Sequence, residues 1–161
     1  MNITVVIATR NRAAMLERML QALARQTMPV AGFAVVVVLD GATDDSRAVC
    51  ERMRRLLPNL TILVLEQHGG QTRALIRGIS AARTEKLAFT DDDCVPEPEW
   101  LERMDRALDG HELVAGGIRS SPRPFFRLCH NIAQFHPFLT GRRGAATIFL
   151  AGANFGCRRS L

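Results

Sequence analysis

Short apolar segments alternate with helical patterns along most of the chain, and this alternation limits the fold more than any other feature. Each apolar segment is short enough for a buried strand, and most are rich in β-branched residues. The predicted strands cover residues 3–8, 33–39, 60–65, 86–90 and 113–118. Such continuously apolar strands are typical of parallel sheets that helices cover on both faces. We therefore predict an α/β fold with a mostly parallel sheet.

The segments between these strands have apolar residues at the spacing of one helix face. The four stripes are Ala13, Leu16, Leu20 and Leu23; Val49, Met53 and Leu56; Leu75, Ile79 and Ala82; and Trp100, Met104 and Leu108. Asn11 is the predicted N-cap of the first helix, and the second is expected to begin near Thr43 or Asp44. Residues 120–144 break the rhythm, and we predict a loop with one short helix there.

Size and composition indicate one domain without special cysteine chemistry. The chain has 161 residues, of which 47% are hydrophobic. Its longest apolar run, residues 33–39, is far shorter than the roughly 20 residues of a membrane-spanning helix, and the N-terminus lacks a signal-peptide pattern. The four cysteines and four histidines lack metal-ligand spacing, so the histidines are expected at surface or packing positions. We expect a cytoplasmic protein, with peripheral attachment at the inner face of the membrane left open.

The net charge of +5 comes almost wholly from arginine, since Lys86 is the only lysine. Guanidinium groups suit phosphate and carboxylate partners, so a phosphorylated small ligand, an anionic membrane surface and nucleic acid are all compatible with this charge. The arginines are scattered in short groups, which favours a solvated surface over a nucleic-acid site. Four phenylalanines with flanking arginines in residues 123–142 suggest an acceptor lid or a membrane patch, although core packing is the favoured interpretation.

Polar residues follow several of the predicted strands at the point where each strand ends. Thr9 and Arg10 follow the first strand, Asp40 follows the second, and residues 91–93 follow the fourth. Arg73 lies at the start of the third predicted helix. Because the carboxyl ends of parallel strands meet at one edge of a sheet, these groups are expected to line one cleft.

Three consecutive aspartates, Asp91, Asp92 and Asp93, directly follow a buried strand. Like charges this close raise each other's pKa unless a cation compensates them. Side chains two positions apart project to the same side of an extended segment, so Asp91 and Asp93 are the predicted ligands of Mg²⁺ or Mn²⁺, with phosphate oxygens completing the shell. The alternative, a turn with a helix-capping aspartate, explains one carboxylate but not three.

Two of the other groups have simpler interpretations when each is taken alone. Asp40 and Gly41 are typical of a turn before a helix whose cap is Thr43 or Asp44. Arg73 at a helix start fits a solvated side chain as well as it fits a bidentate contact to a diphosphate.

Four motifs in order along the chain carry a resemblance to a known family. They are VVIATRNR at residues 5–12, VLDGATD at 38–44, FTDDD at 89–93 and GANFGCRR at 152–159. Together they resemble the inverting glycosyltransferases of family 2, which have a GT-A fold. The resemblance implies that Thr9 and Asp40 contact the nucleotide base, that Arg73 lies near the nucleotide, that Asp91 binds the ribose or the metal, and that Asp93 is the metal ligand. Ala8, Arg10 and Asp92 complete the implied substrate-binding set.

The resemblance also implies a reaction and a division of the chain. The expected reaction moves a sugar from a nucleoside-diphosphate sugar, with UDP-sugar the expected donor, to a glycan, lipid or small-molecule acceptor hydroxyl, with inversion. Residues 1–118 would form the nucleotide-sugar-binding half, and residues 119–161 would begin the acceptor half. In this family the catalytic base follows the last motif, so it is expected beyond Leu161 in a chain that is truncated at its C-terminus.

Three alternatives were compared with this interpretation: one is another enzyme, and two are non-catalytic modules. A nucleotidyltransferase of related fold also binds a nucleotide and a metal, but it usually has a glycine-rich loop after the first strand, and residues 8–12 contain no glycine. A non-catalytic nucleotide-sugar-binding module remains open, because it predicts the absence of a base. A receiver-type phosphoacceptor domain needs acidic residues after the first strand, where Ala8 and Thr9 stand instead.

Overall fold

The computed structural model describes residues 1–119 and 152–160, which form a sheet with helices on both faces. Its strands are β1 (Ile3–Thr9), β2 (Phe33–Asp40), β3 (Leu60–Leu65), β4 (Lys86–Thr90), β5 (Leu113–Ala115) and β6 (Asn154–Arg158). Its helices are α1 (Ala13–Ala24), α2 (Ser46–Met53), α3 (Gln71–Ala81) and α4 (Trp100–Gly110). The order across the sheet is β3-β2-β1-β4-β6-β5. Strands β1 to β4 are parallel, whereas β6 runs antiparallel to both of its neighbours. The predicted mostly parallel α/β fold is therefore confirmed.

The two faces of the sheet bury alternate residues of β1. Ile3, Val5 and Ile7 pack in the larger core cluster, together with buried residues of α1, α2 and α4. Val6 faces the opposite side, where Leu75 and Ile79 of α3 pack against its cluster. Because side chains alternate along a strand, a strand covered on both faces is apolar on both. This explains the continuous apolar run from Val5 to Ala8 in β1.

Helix α3 packs closely against the sheet at Gly78, where the absence of a side chain allows the approach. A Cβ atom added to Gly78 would stand 2.4 Å from Cγ1 of Val6 and 3.2 Å from Cγ2 of Val38. Both valines are fully or almost fully buried in strands. Gly78 is therefore a packing position of the helix.

Some sequence-based expectations are wrong in detail. Asn11 is not the N-cap of α1, since Arg12 occupies that position and Asn11 has a left-handed backbone with φ of 53°. Helix α2 ends at Met53, which leaves Leu56 exposed rather than in the core. The fifth strand ends at Ala115, three residues earlier than expected. The loop and short helix predicted for residues 120–144 lie outside the described residues.

Within the described residues, no helix is long and apolar enough to cross a membrane.

Candidate functional site

A cleft of about 420 Å³ opens at the carboxyl ends of β1, β2 and β4. This is the edge at which open α/β sheets bind ligands. The residues that line it are Ala8, Thr9, Arg10, Arg12, Asp40, His68, Gln71, Asp91, Asp92 and Asp93. Its volume is within the range of small-molecule sites, roughly 300–1,000 Å³.

The middle aspartate of the three is an internal anchor of the cleft. Asp92 Oδ2 accepts a hydrogen bond of 2.6 Å from Thr9 Oγ1, and Asp92 Oδ1 accepts one of 3.0 Å from Arg12 Nη1. Its side chain is only 6% exposed. These contacts join the end of β4 to the end of β1, and the hydrogen bond that Arg12 donates to Asp92 raises the pKa of the Arg12 guanidinium. Asp92 was included in the substrate-binding set, but its carboxylate is occupied by protein partners.

The two flanking aspartates also line the cleft, and they are less completely paired with protein groups. Asp93 is 51% exposed, with Arg12 Nη1 at 3.4 Å from Asp93 Oδ2. Asp91 Oδ1 accepts a 3.2 Å hydrogen bond from Gln71 Nε2. Burial raises the pKa of Asp91, and the charges of Asp93 and Asp92 raise it further, while Gln71 and Arg12 oppose the change. The carboxylate charge at this end of the cleft is therefore only partly compensated by protein groups.

This donor set fits a divalent cation that a ligand helps to hold. Among the residues that the structure describes, no group of three or more His, Cys, Asp or Glu side chains is placed to hold a metal ion. Asp91 and Asp93 would supply two hard oxygen ligands, and Mg²⁺ or Mn²⁺ bound by so few carboxylates usually takes water and substrate phosphate as further ligands. A cation there would remove the electrostatic cost of holding Asp91 beside Asp93.

At the other end of the cleft, Asp40 holds the loop that follows β3. Its Oδ1 accepts from the Gly69 amide at 2.8 Å, and its Oδ2 accepts from the Gly70 amide at 2.9 Å and lies 2.7 Å from His68 Nδ1. Burial alone would raise the pKa of this carboxyl group, but the hydrogen bonds from Gly69, His68 and Gly70 outweigh burial and lower it. Asp40 is therefore ionised at neutral pH and acts only as an acceptor.

Gly41 makes this loop arrangement possible. It has φ of +63°, and a Cβ atom there would stand 2.6 Å from the backbone nitrogen of His68. Both the left-handed backbone and the close approach require a residue without a side chain. The turn predicted after the second strand thus also makes room for the loop that carries His68.

A second network shapes the turns that precede α1 and α2. Asn11 Oδ1 accepts a 2.8 Å hydrogen bond from the Thr43 amide. Asp44 accepts from the amides of Ala13 and Ser46, which are the first residues of α1 and α2, and from Ser46 Oγ. One carboxylate therefore satisfies amides at two helix N-termini, where negative charge is favourable. The network holds the β1 and β2 ends in place.

The predicted site residue Arg73 and the last motif's Asn154 lie outside the lining of the cleft. Arg73 is exposed on the first turn of α3, and its side chain lies against Gly69, where an added Cβ would stand 2.5 Å from Arg73 Cδ. Asn154, in the last motif, accepts a 2.8 Å hydrogen bond from Trp100 Nε1 and donates to the Gly117 carbonyl oxygen at 2.8 Å. Asn154 therefore ties β6 to α4 and to the chain after β5.

The structure brings together most of the residues predicted from the sequence. Ala8, Thr9, Arg10, Asp40 and residues 91–93 all line the cleft, whereas Arg73 does not. Sequence reasoning missed Arg12, His68 and Gln71 as lining residues. Arg12 belongs to the first motif, and His68 and Gln71 flank the Gly69–Gly70 break after β3, so their positions beside predicted cleft residues were the available signal.

Comparison with known proteins gives a consistent result. The family model described as glycosyl transferase family 2 matches residues 4–161. Glycosyltransferase AglE of Haloferax volcanii is 31% identical over 118 residues, which are 72% of this chain and 39% of that protein. The solved structure of Staphylococcus aureus TarS (residues 1–349) in complex with UDP-GlcNAc has a TM-score of 0.71 and 28% identity, and covers 77% of this chain and 36% of that chain.

A further solved structure shares the fold at lower identity. The mannosyltransferase PcManGT from Pyrobaculum calidifontis, in complex with GDP-Man and Mn²⁺, has a TM-score of 0.76 at 23% identity and covers 99% of this chain and 45% of that chain. The chain thus spans less than half the length of each of these relatives.

Proposed function

Because the chain belongs to glycosyl transferase family 2 and has the GT-A fold, we propose that its cleft binds a nucleoside-diphosphate sugar together with Mn²⁺ or Mg²⁺. The reaction that we propose for the whole protein is transfer of the sugar to an acceptor hydroxyl with inversion. A UDP-sugar is the proposed donor, in keeping with the UDP-GlcNAc bound in the TarS structure.

One observation carries the proposal. A single cleft has two incompletely compensated carboxylates, Asp91 and Asp93, at one end and a polar loop fixed by Asp40 at the other. A nucleoside diphosphate has the matching arrangement, with a polyanion that attracts a cation at one end and a hydrogen-bonding base at the other. Arg10 also lines the cleft and is exposed, which favours an anionic ligand.

The chain's own residues would divide the work of donor binding. Asp91 and Asp93 would hold the cation, which when bound neutralises the charge of the departing nucleoside diphosphate. Asp92 keeps both neighbours in position through Thr9 and Arg12. Gln71 fixes the rotamer of Asp91 through its 3.2 Å hydrogen bond. Fixed ligands of this kind contribute because they need not reorganise as charge develops on the leaving group.

No catalytic base is assigned among the described residues of the cleft. The carboxylates of Asp40 and Asp92 are buried and hydrogen-bonded to protein groups. Asp91 and Asp93 are the proposed metal ligands, so neither is free to accept a proton from an acceptor hydroxyl.

The direct test is isothermal titration calorimetry of UDP, with and without Mn²⁺, on the wild-type chain and on Asp93→Asn. We expect Mn²⁺ to tighten UDP binding at least about tenfold in the wild type, which corresponds to about 1.4 kcal/mol, and to have little effect in Asp93→Asn. Asp45→Asn is the matched control, because Asp45 is exposed and does not line the cleft. The same Mn²⁺ effect in wild type and Asp93→Asn would contradict the assignment of Asp93.

A further inference from the structure

The cleft runs across the ends of several strands, and its two ends are chemically different. Asp91 and Asp93 follow β4, Thr9 ends β1, and Asp40 ends β2 beside His68. Neighbouring strands are about 4.8 Å apart, so β4 and β2 are roughly 10 Å apart. On the proposed function, a diphosphate held at the Asp91 end would extend its nucleoside along the cleft toward Asp40 and His68.

Most of the hydrogen-bonding capacity of Asp40 is already used by the protein. A carboxylate has about four lone-pair directions, and three are occupied by Gly69, Gly70 and His68. The Asp40 side chain is 4% exposed, whereas that of His68 is 49% exposed. The group that a ligand meets at this end of the cleft is therefore mainly the His68 ring.

The contact with Asp40 also determines what the His68 ring offers to a ligand. An ionised carboxylate can only accept, so His68 Nδ1 must carry the hydrogen of the 2.7 Å bond. In the neutral ring the other nitrogen, Nε2, then has a lone pair. Among the hydrogen bonds of the described residues, none involves Nε2. In its neutral form the ring thus offers a hydrogen-bond acceptor to the cleft.

We propose that His68 determines base specificity, by accepting through Nε2 a hydrogen bond from the ring N–H of the bound nucleobase, and that Asp40 is the positioning residue that sets its tautomer. Uracil presents such an N–H at N3 and guanine at N1. Cytosine and adenine present a lone pair at the corresponding nitrogen, which would oppose that of Nε2. The site would therefore favour uridine and guanosine nucleotides over cytidine and adenosine nucleotides.

The test is calorimetric binding of UDP, CDP, GDP and ADP in the presence of Mn²⁺. Comparing UDP with CDP, and GDP with ADP, keeps the size of the base constant within each pair. The wild type should bind UDP at least about tenfold more tightly than CDP. N3 of cytosine has no hydrogen to donate, so the lone pair of His68 Nε2 is left without a partner when CDP binds. In His68→Phe, which keeps a ring without an acceptor, the ratio of the two affinities should fall to about one.

Two further variants separate this inference from the proposed function. In His68→Gln the amide can rotate to donate or accept, so UDP binding should persist while the UDP-to-CDP ratio falls; this variant also serves if His68→Phe does not fold. In Asp93→Asn both affinities should fall and their ratio should stay unchanged. An unchanged ratio in the His68 variants would overturn the assignment of His68 and leave the proposed function standing. Failure of all four nucleotides to bind the wild type would overturn both.

Discussion

At the scale of single residues, the three consecutive aspartates have different roles. All three line the cleft, but residues 92 and 93 lie in a turn that is closed by the hydrogen bond from the Cys94 amide to the Asp91 carbonyl oxygen, and not in the extended segment that the sequence argument assumed. Asp92 is buried against Thr9, a residue 83 positions earlier in the chain. The position of the three aspartates at the end of β4 could therefore be predicted locally, whereas the partner of Asp92 depends on the pairing of β1 with β4.

The Thr9–Asp92 contact should be measurable as stability. In Thr9→Val the side-chain shape is kept but Asp92 loses its 2.6 Å hydrogen bond in a buried position. Losing one partner of a buried charged group costs about 1–3 kcal/mol, so the free energy of unfolding in urea should fall by that amount. Thr61→Val, at an exposed position of β3, is the matched control and should change stability by less than about 0.5 kcal/mol. Equal effects of the two substitutions would contradict the anchoring role of Asp92.

His68 shows what residue-level prediction could not supply. Its side chain is 49% exposed, in keeping with the surface or packing position expected for the histidines, but its contact with Asp40, 28 positions away in the sequence, had no local signal. Only the pairing of β2 with β3 brings the Asp40 carboxylate beside the loop after β3. The glycines that shape this loop were visible in the sequence, but their function was not.

At the scale of elements, β1 to β4 and the four helices could be predicted because each has a strong local pattern. The predicted ends of the strands and helices were the least reliable, because there a local sequence pattern competes with tertiary contacts. Asn11 has a typical capping side chain, yet its Oδ1 accepts from Thr43 instead of from α1. The first amide of α1 donates instead to Asp44, which lies 31 positions later on the loop after β2, so the cap of that helix comes from a distant residue.

The packing of α3 leads to a prediction about Gly78. Alanine would raise helix propensity by about 1 kcal/mol, but its Cβ would stand 2.4 Å from Val6 Cγ1, which cannot move away within a filled core. Overpacking of this kind costs about 1–3 kcal/mol. We therefore expect Gly78→Ala to lower the free energy of unfolding, as measured by urea denaturation.

Ser80→Ala in the same helix is the control for this experiment. Ser80 is exposed, and among the described residues its Oγ donates a hydrogen bond only to the Ile76 carbonyl oxygen, within the helix. This substitution should be neutral or slightly stabilising, because alanine has a higher helix propensity than serine. A stabilising effect of Gly78→Ala as large as that of Ser80→Ala would show that the helix does not lie as close to the sheet as described.

At the scale of the whole molecule, the two edges of the sheet are chemically distinct. At the amino edge of β4, Lys86 is paired with Asp105 and Asp109, and Arg158 is paired with Glu85. Burial lowers the pKa of Lys86, but its bonds to the two aspartates outweigh burial and raise it. Lys86 and Arg158 at that edge are thus paired with acids, while Arg10 and the two exposed or half-buried aspartates line the cleft at the opposite edge.

The general position of the site follows from topology and could be predicted before its geometry was known. Parallel strands bring their carboxyl ends to one edge, so the polar residues after β1, β2 and β4 had to meet there. The insertion of antiparallel β6 between β4 and β5 was not predicted, because pairing between distant segments has no local signal. The separate patterns predicted the fold and the position of the cleft. The four ordered motifs were needed to indicate the family, and with it the class of ligand.

The central claim is that a nucleoside diphosphate and a divalent cation bind at the carboxyl edge of this sheet. Amide hydrogen exchange measured by mass spectrometry, with and without UDP and Mn²⁺, tests that claim most directly because it locates the bound ligand. We predict slower exchange in residues 9–12, 68–71 and 91–93, and no change in residues 84–86 or 158–159 at the opposite edge. Protection confined to the opposite edge, or no protection anywhere at saturating UDP and Mn²⁺, would contradict the account.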